Sequence, residues 1–167
     1  MLPVRKYFEA VTALRIARSE TMSCLEAKKE ARSDAVKLTI CEPERFAELQ
    51  TKIEATTAQI AGLVAAIRQL DGIIETNGLA PGWLDVMKHR LSSAGGSIVQ
   101  QQSNISVWAS FYTQKNTRKS PEEALADPEF KEKREAAEKI IVAEKAFLET
   151  AKPIVKEIES ILSGCGC

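Results

Sequence analysis

A heptad repeat between residues 46 and 74 is the feature that most constrains this chain. Apolar side chains recur there at alternating steps of three and four residues, with Thr56 as the one polar member. This spacing is typical of a helix whose narrow apolar side packs against partner helices. Its apolar members, which we predict to form a packing seam, are Phe46, Leu49, Ile53, Ile60, Leu63, Ile67, Leu70 and Ile74.

The apolar stripe widens from Leu63 onward, because Val64, Ala66 and Ile73 lie beside the heptad positions. A wide stripe needs more than one partner helix, which favours a bundle core over a free two-helix zipper. Isoleucine at one heptad position with leucine at the other also favours parallel dimers. Parallel self-association through this helix is therefore an alternative, and it is compatible with a bundle in one oligomer.

Start and stop signals divide the rest of the chain into helices. Glu42–Pro43 and Asn77–Gly78 bound the heptad helix, and Ser120 with Glu123 forms a capping box. Aromatic residues make up only 5% of the chain, which favours helices over sheets. We predict an all-α fold, either an antiparallel four-helix bundle or a set of long helical hairpins. One domain spans residues 1–163, with helices at about 3–38, 43–76, 82–115 and 128–163 and a flexible tail at 164–167.

Three of these helices carry further expectations. The third keeps one heptad phase across Gly95–Gly96, which predicts a continuous rod although each glycine costs about 1 kcal/mol against alanine. The fourth contains Pro153, which should kink it. The first carries large apolar residues that we expect on its buried side, namely Val4, Tyr7, Phe8, Val11, Leu14, Met22 and Leu25.

Net charge alternates along the chain. Residues 1–40 carry +3, residues 41–80 carry −3, residues 81–120 carry +4 and residues 121–167 carry −4. Short connections make successive helices antiparallel neighbours, so each helix is expected beside one of opposite charge. Single surface pairs contribute only about 0–1 kcal/mol, but the alternation disfavours wrong arrangements of the helices.

Motifs that carry chemistry are scarce. The only histidine is His89, and Asp85 precedes it by one helical turn, a pair more typical of a local polar contact than of a metal site. A carboxylate-bridged metal site in a bundle needs Glu-x-x-His motifs on facing helices, and a catalytic triad would need the same histidine. Neither a Walker loop nor a dinucleotide fingerprint is present. We predict a non-enzymatic protein without metal or cofactor.

Composition also limits the partners. The net charge is zero, so no whole-protein field attracts nucleic acid. No apolar run approaches the roughly 18 residues of a membrane span. The N-terminus lacks the apolar region of a signal peptide, which predicts synthesis in the cytoplasm. An uncleaved organelle-targeting helix is an alternative, because acidic residues are sparse there.

Four cysteines call for a specific account. Cys24 lies on the first predicted helix, Cys41 at the turn that follows it, and Cys165 and Cys167 in the C-terminal Cys-Gly-Cys. In an up-down bundle the fourth helix ends far from Cys41. The tail spans at most about 17 Å, while the helix that it would have to pass is roughly 50 Å long. All four are candidates for intermolecular disulfides, with the tail placed to reach another chain.

Other interpretations of the tail stay open. The C-terminal Cys-x-Cys resembles the doubly prenylated end of Rab GTPases, a resemblance that implies lipid attachment. The nucleotide-binding domain of that family is missing from this chain. Soft-metal binding, free thiols or an added tag are the remaining alternatives.

The cysteines also bear on the compartment. Disulfides are rare in the cytosol but persist on virions, whose proteins meet an oxidising environment after release. We therefore expect a structural protein of a virus or phage virion, which links the subunits of a homo- or hetero-oligomeric assembly through helix packing and disulfides. The alternative is a helical accessory subunit of a cellular complex, organellar or membrane-attached.

Overall fold

The computed structural model describes residues 2–30, 42–115 and 120–166. All regular structure in these ranges is helical, which confirms the predicted all-α helical bundle. The residues 31–38 of the first predicted helix lie outside the described residues, and the other three predicted helices agree to within one residue at each end. The five observed helices are α1 (Leu2–Glu30), α2 (Pro43–Asn77), α3 (Trp83–Lys115), α4 (Pro121–Leu125) and α5 (Pro128–Gly164).

Two of the predicted capping signals form the expected hydrogen bonds at helix ends. At the end of α2, Gly78 adopts a left-handed φ of 58°, and its N–H donates to the carbonyl oxygens of Ile74 and Glu75. At the start of α4, the Ser120 hydroxyl accepts from the N–H of Glu123. The Glu123 carboxylate accepts from the N–H of Ser120 in return, which is the predicted capping box.

Neither potential break interrupts a helix. α3 is continuous through Gly95–Gly96, as predicted, and a Cβ added at either glycine would meet no neighbouring atom within 4 Å. α5 continues through Pro153, which is exposed. Helix formation on both sides of these residues therefore outweighs their local cost.

The helices form two compact units. The first contains Met1–Gly78 and Ile158–Cys167, so α1, α2 and the last turns of α5 belong together. The second, Leu79–Glu157, contains α3, α4 and most of α5. Within the first unit α1 and α2 run antiparallel. Arg45 near the start of α2 forms an ion pair of 3.2 Å with Glu20 in the second half of α1. The turn after α5 adjoins both Lys6 near the start of α1 and the stretch 59–69 further along α2.

Small residues form the buried side of α1. Pro3, Ala10 and Ala17 recur every seven residues and are buried. Thr21 is buried on the same side, and its hydroxyl donates to the carbonyl oxygen of Ala17 at 2.8 Å. Because the distance between packed helices depends on the side chains at the contact, such residues allow α1 to lie close to α2.

The expected buried side of α1 is wrong for four of its seven members. Phe8 is 62% exposed and Met22 57%, and Val4 and Leu25 are also exposed. Tyr7, Val11 and Leu14 are half-buried. The prediction followed the large apolar side chains, whereas close packing of the backbones selected the neighbouring side with small ones.

The predicted seam of α2 is buried unevenly. Leu49 and Leu63 are each 2% exposed, and Thr56, at the same heptad position, is buried as well, with its hydroxyl bonded to the carbonyl oxygen of Lys52. Ile74 is 43% exposed. The remaining members are half-buried, namely Phe46, Ile53, Ile60, Ile67 and Leu70.

In the second unit α3 and α5 run antiparallel. Arg90 near the start of α3 forms an ion pair of 2.7 Å with Glu144 of α5, and its guanidinium lies 4.7 Å from the ring centre of Phe147. Near the opposite end of the pair, the rings of Tyr112 and Phe130 lie 5.7 Å apart. The Arg90–Glu144 pair follows the predicted charge alternation, whereas the Arg45–Glu20 pair of the first unit has the opposite sense.

Candidate functional site

Two of the four candidate cysteines are described, and Cys41 and Cys167 lie outside the described residues. Cys24 is half-buried on α1. Cys165 directly follows α5, is also half-buried, and has its Sγ 3.2 Å from the carbonyl oxygen of Leu162. Neither Cys24 nor Cys165 is a free thiol. Pairing of the four cysteines between chains stays a prediction.

The structure does not bring Cys24 and Cys165 together. The turn after α5 lies beside the first turns of α1, because a Cβ added to Gly166 would be 3.8 Å from the Nζ of Lys6. Lys6 precedes Cys24 by 18 residues of the same helix, which is about 27 Å along its axis. A disulfide requires Cα atoms within about 7 Å, so these two cysteines do not pair within one chain.

Cys165 lines a groove of the first unit. The groove runs between α2 and the end of α5, and its described lining contains no charged side chain. Helix α5 and the following turn contribute Ser160, Ile161, Gly164 and Cys165, and α2 contributes Gln59, Gly62, Leu63, Ala65, Ala66 and Gln69. Cys165 therefore lines the same groove as the small residues Gly62, Ala65 and Ala66 of α2.

An exposed apolar strip follows α1. Val4, Phe8, Thr12 and Ile16 succeed one another at four-residue steps and therefore share one side of the helix. We call these four residues the outer face of α1. Phe8 is 62% exposed, Ile16 51% and Val4 43%. Large apolar side chains exposed together, rather than singly, are typical of interaction sites.

The polar groups of the outer face of α1 are already paired within the helix. The Thr12 hydroxyl donates to the carbonyl oxygen of Phe8 at 2.9 Å. Beside the strip, Arg5 and Glu9 form an ion pair of 3.0 Å. A partner that covered the strip would not leave the Thr12 hydroxyl without a hydrogen bond, so the penalty for burying that hydroxyl would be small.

A cluster of charged groups surrounds Tyr112, which is 1% exposed near the end of α3. Lys115 and Lys133 place their Nζ atoms 5.7 and 5.8 Å from the centre of its ring, within the range of cation–π attraction. Lys133 also donates to the carboxylate of Glu129 at 2.9 Å. The cluster therefore ties the end of α3 to the start of α5.

The pKa shifts in this cluster follow from these contacts. Burial raises the pKa of Tyr112 above its ordinary 10.0, and its hydrogen bond to Glu129 raises it further. The hydrogen bond from Lys133 lowers the pKa of Glu129, and the same bond raises the pKa of Lys133. All three pKa values move away from 7, whereas general acid–base catalysis works best with a pKa near the working pH.

Neither a cluster of metal ligands nor a membrane-spanning helix occurs among the described residues. Within residues 2–30, 42–115 and 120–166, no three His, Cys, Asp or Glu side chains are grouped to hold a metal ion. Asp85 and His89 are both exposed on α3. None of the described helices is long and apolar enough to cross a membrane. The expected lack of metal, cofactor and enzymatic activity stays a prediction.

The outer face of α1 was missed by the reasoning from sequence, although a signal for it exists. Pro3, Ala10, Ala17 and Cys24 recur at intervals of seven residues. Such a repeat of small residues indicates the side on which a helix approaches its neighbour closely. The repeat would have placed Phe8 on the exposed side of α1.

Similarity to known proteins gives no further information about the site. Comparison of the chain with known protein families, with curated proteins and with solved structures found no match.

Proposed function

We propose that the chain is a non-enzymatic structural protein that links the subunits of a larger assembly. We propose the virion of a virus or phage as that assembly. The observation that carries this proposal is the outer face of α1, where Val4, Phe8 and Ile16 are exposed side by side. Keeping such side chains in water is unfavourable for an isolated protein, whereas a subunit gains their burial on assembly.

The gain from this face is modest. Full burial of a large apolar side chain contributes about 1.5–3 kcal/mol, and roughly half of each of these three side chains is exposed, so their burial contributes roughly 2–5 kcal/mol in total. Association itself costs about 4–15 kcal/mol in lost freedom of motion. The outer face of α1 therefore needs further contacts, or covalent links, to hold subunits together.

Disulfides between chains are the covalent links that the proposal includes, through Cys165 and Cys167 with Cys24 and Cys41 as further candidates. They persist in oxidising surroundings, among them the surface of a virion. The alternative, a helical accessory subunit of an organellar or membrane-attached complex, uses the same apolar contact without cross-links between chains. The two accounts therefore differ in a measurable property.

The test of the disulfides uses the full chain recovered from its native assembly, with free thiols blocked before denaturation. We expect dimers or larger species on a non-reducing gel and one band of monomer size after reduction. Replacing Cys165→Ser and Cys167→Ser should abolish the larger species and leave the helical circular dichroism unchanged, because both residues follow the last residue of α5, Gly164. A single monomer band without reductant would favour the accessory subunit.

The test of the apolar contact compares two variants. Phe8→Ser combined with Ile16→Ser should reduce incorporation of the chain into the assembly, because it removes most of the apolar area of the outer face of α1. Val142→Ser is the matched control, since Val142 is 67% exposed on α5 and lies outside that face. Equal incorporation of both variants and the wild type would show that the proposed function is wrong.

A further inference from the structure

The middle of α3 carries no charge. Residues 91–114 contain no Asp, Glu, Lys or Arg, although these residues make up 28% of the chain. A stretch of this length in an average protein holds about six charged residues. The charged residues of α3 are confined to its two ends, where Asp85, Lys88, Arg90 and Lys115 lie.

Half of these uncharged residues are exposed, and we call the exposed set the neutral face of α3. Val99 is 65% exposed, Val107 61% and Phe111 55%, and the others are chiefly serine and glutamine. Its members are Ser92, Ser93, Gly96, Val99, Gln100, Gln102, Ser103, Ser106, Val107, Ser110, Phe111 and Gln114. Surface helices usually carry charge at such positions, which keeps proteins apart in solution.

Depletion of charge distinguishes the centres of protein interfaces from the rest of a protein surface. The neutral face of α3 lacks the lysines and arginines through which nucleic acid and anionic lipid headgroups are bound. For the same reason it offers an acidic or a basic peptide no complementary charge. These properties favour an occupant that is itself uncharged.

We propose that the neutral face of α3 binds the same face of a second copy of this chain. In a two-fold symmetric contact, groups near the axis meet their own copies. Like charges repel there, whereas hydroxyl and amide groups both donate and accept hydrogen bonds and therefore pair with themselves. Serine, glutamine and valine are self-complementary in this sense. The inference rests on the proposed function, because it names one contact of the proposed assembly.

The size of the face determines how strong the contact is. The 24 residues extend for about 36 Å along α3, and a helix is about 10 Å wide. Each copy therefore contributes roughly 400 Å², about half of the 800 Å² per partner in a stable interface of standard size. The contact is a weak and reversible one, which multiple copies in an assembly reinforce.

Sedimentation velocity of the full chain in reductant tests this contact. We expect the wild type to shift from monomer to dimer between about 5 and 500 µM, the range of weak association. An acidic variant carries Gln100→Glu, Ser103→Glu and Val107→Glu, and a basic variant carries lysine at the same positions, all of which are exposed. Each variant alone should dimerise at least about tenfold more weakly, because like charges then face each other.

An equal mixture of the acidic and basic variants should restore the dimer, whatever the register of the two helices. The control is Val142→Glu, which adds charge at an exposed site on α5 and should leave dimerisation unchanged. A wild type that stays monomeric at the highest concentration, or an acidic variant that dimerises like the wild type, would overturn the inference. Because reductant is present, such a result would leave disulfide-linked assembly, and with it the proposed function, untouched.

Discussion

Leu63→Ala should lower the free energy of unfolding by about 2.5–3.5 kcal/mol. Leu63 is 2% exposed on α2, and the substitution removes three carbons, worth about 0.8 kcal/mol each, or roughly 2.4 kcal/mol in transfer from water. The cavity left behind raises measured losses for this substitution to about 2–5 kcal/mol. Leu63 also borders the groove between α2 and α5, where neighbouring atoms can relax into the space, so the lower part of that range is expected.

Ile74→Ala is the matched control for this prediction. It removes the same number of carbons from the same helix and the same heptad repeat, but Ile74 is 43% exposed, so a loss of about 1.4 kcal/mol is expected. Urea unfolding followed by circular dichroism measures both losses, and unchanged slopes would show that the unfolded states are comparable. Losses that agree to within about 0.5 kcal/mol would refute the reasoning, because burial would then not rank these two residues.

Two further predictions concern glycines and pH. Gly72→Ala should raise the free energy of unfolding by about 0.5–1 kcal/mol, because alanine favours the helix and a Cβ there meets no atom within 4 Å. Gly78→Ala should lower it by about 1–2 kcal/mol, because a residue with a Cβ is strained at a φ of +58°. Thermal unfolding would contradict this if the two signs were reversed. Because the pKa of Glu129 is lowered, Glu129 contributes stability that is present above its ordinary pKa of 4.5 and is lost as the pH falls through the pKa of the folded state. Because the pKa values of Tyr112 and Lys133 are raised, these two residues contribute stability that is present below their ordinary pKa values of 10.0 and 10.5. That stability is lost as the pH rises through the pKa values of the folded state. Urea midpoints should therefore fall at both extremes, and Glu129→Gln should flatten the acid side; an unchanged acid side would contradict the role of the Tyr112 cluster.

Helix positions could be predicted because their signals are local. Gly78 ends α2 through its own left-handed backbone, and the Ser120–Glu123 capping box satisfies groups within four residues. The continuity of α3 through Gly95–Gly96 also followed from the unbroken heptad phase. The uneven burial of the α2 seam could not be predicted from the sequence, because the heptad repeat predicts that Leu63 and Ile74 are both buried.

The sequence by itself determined that the chain is helical, where α2, α3 and α5 begin and end, and which side of α2 is apolar, because these depend on periodicity and caps within a few residues. Only the tertiary structure decided which side of α1 is buried, since that choice depends on how closely a neighbouring backbone can approach. Ala10 and Ala17 allow that approach and Phe8 does not. The same packing leaves Phe8, which the sequence predicted to be buried, 62% exposed to water.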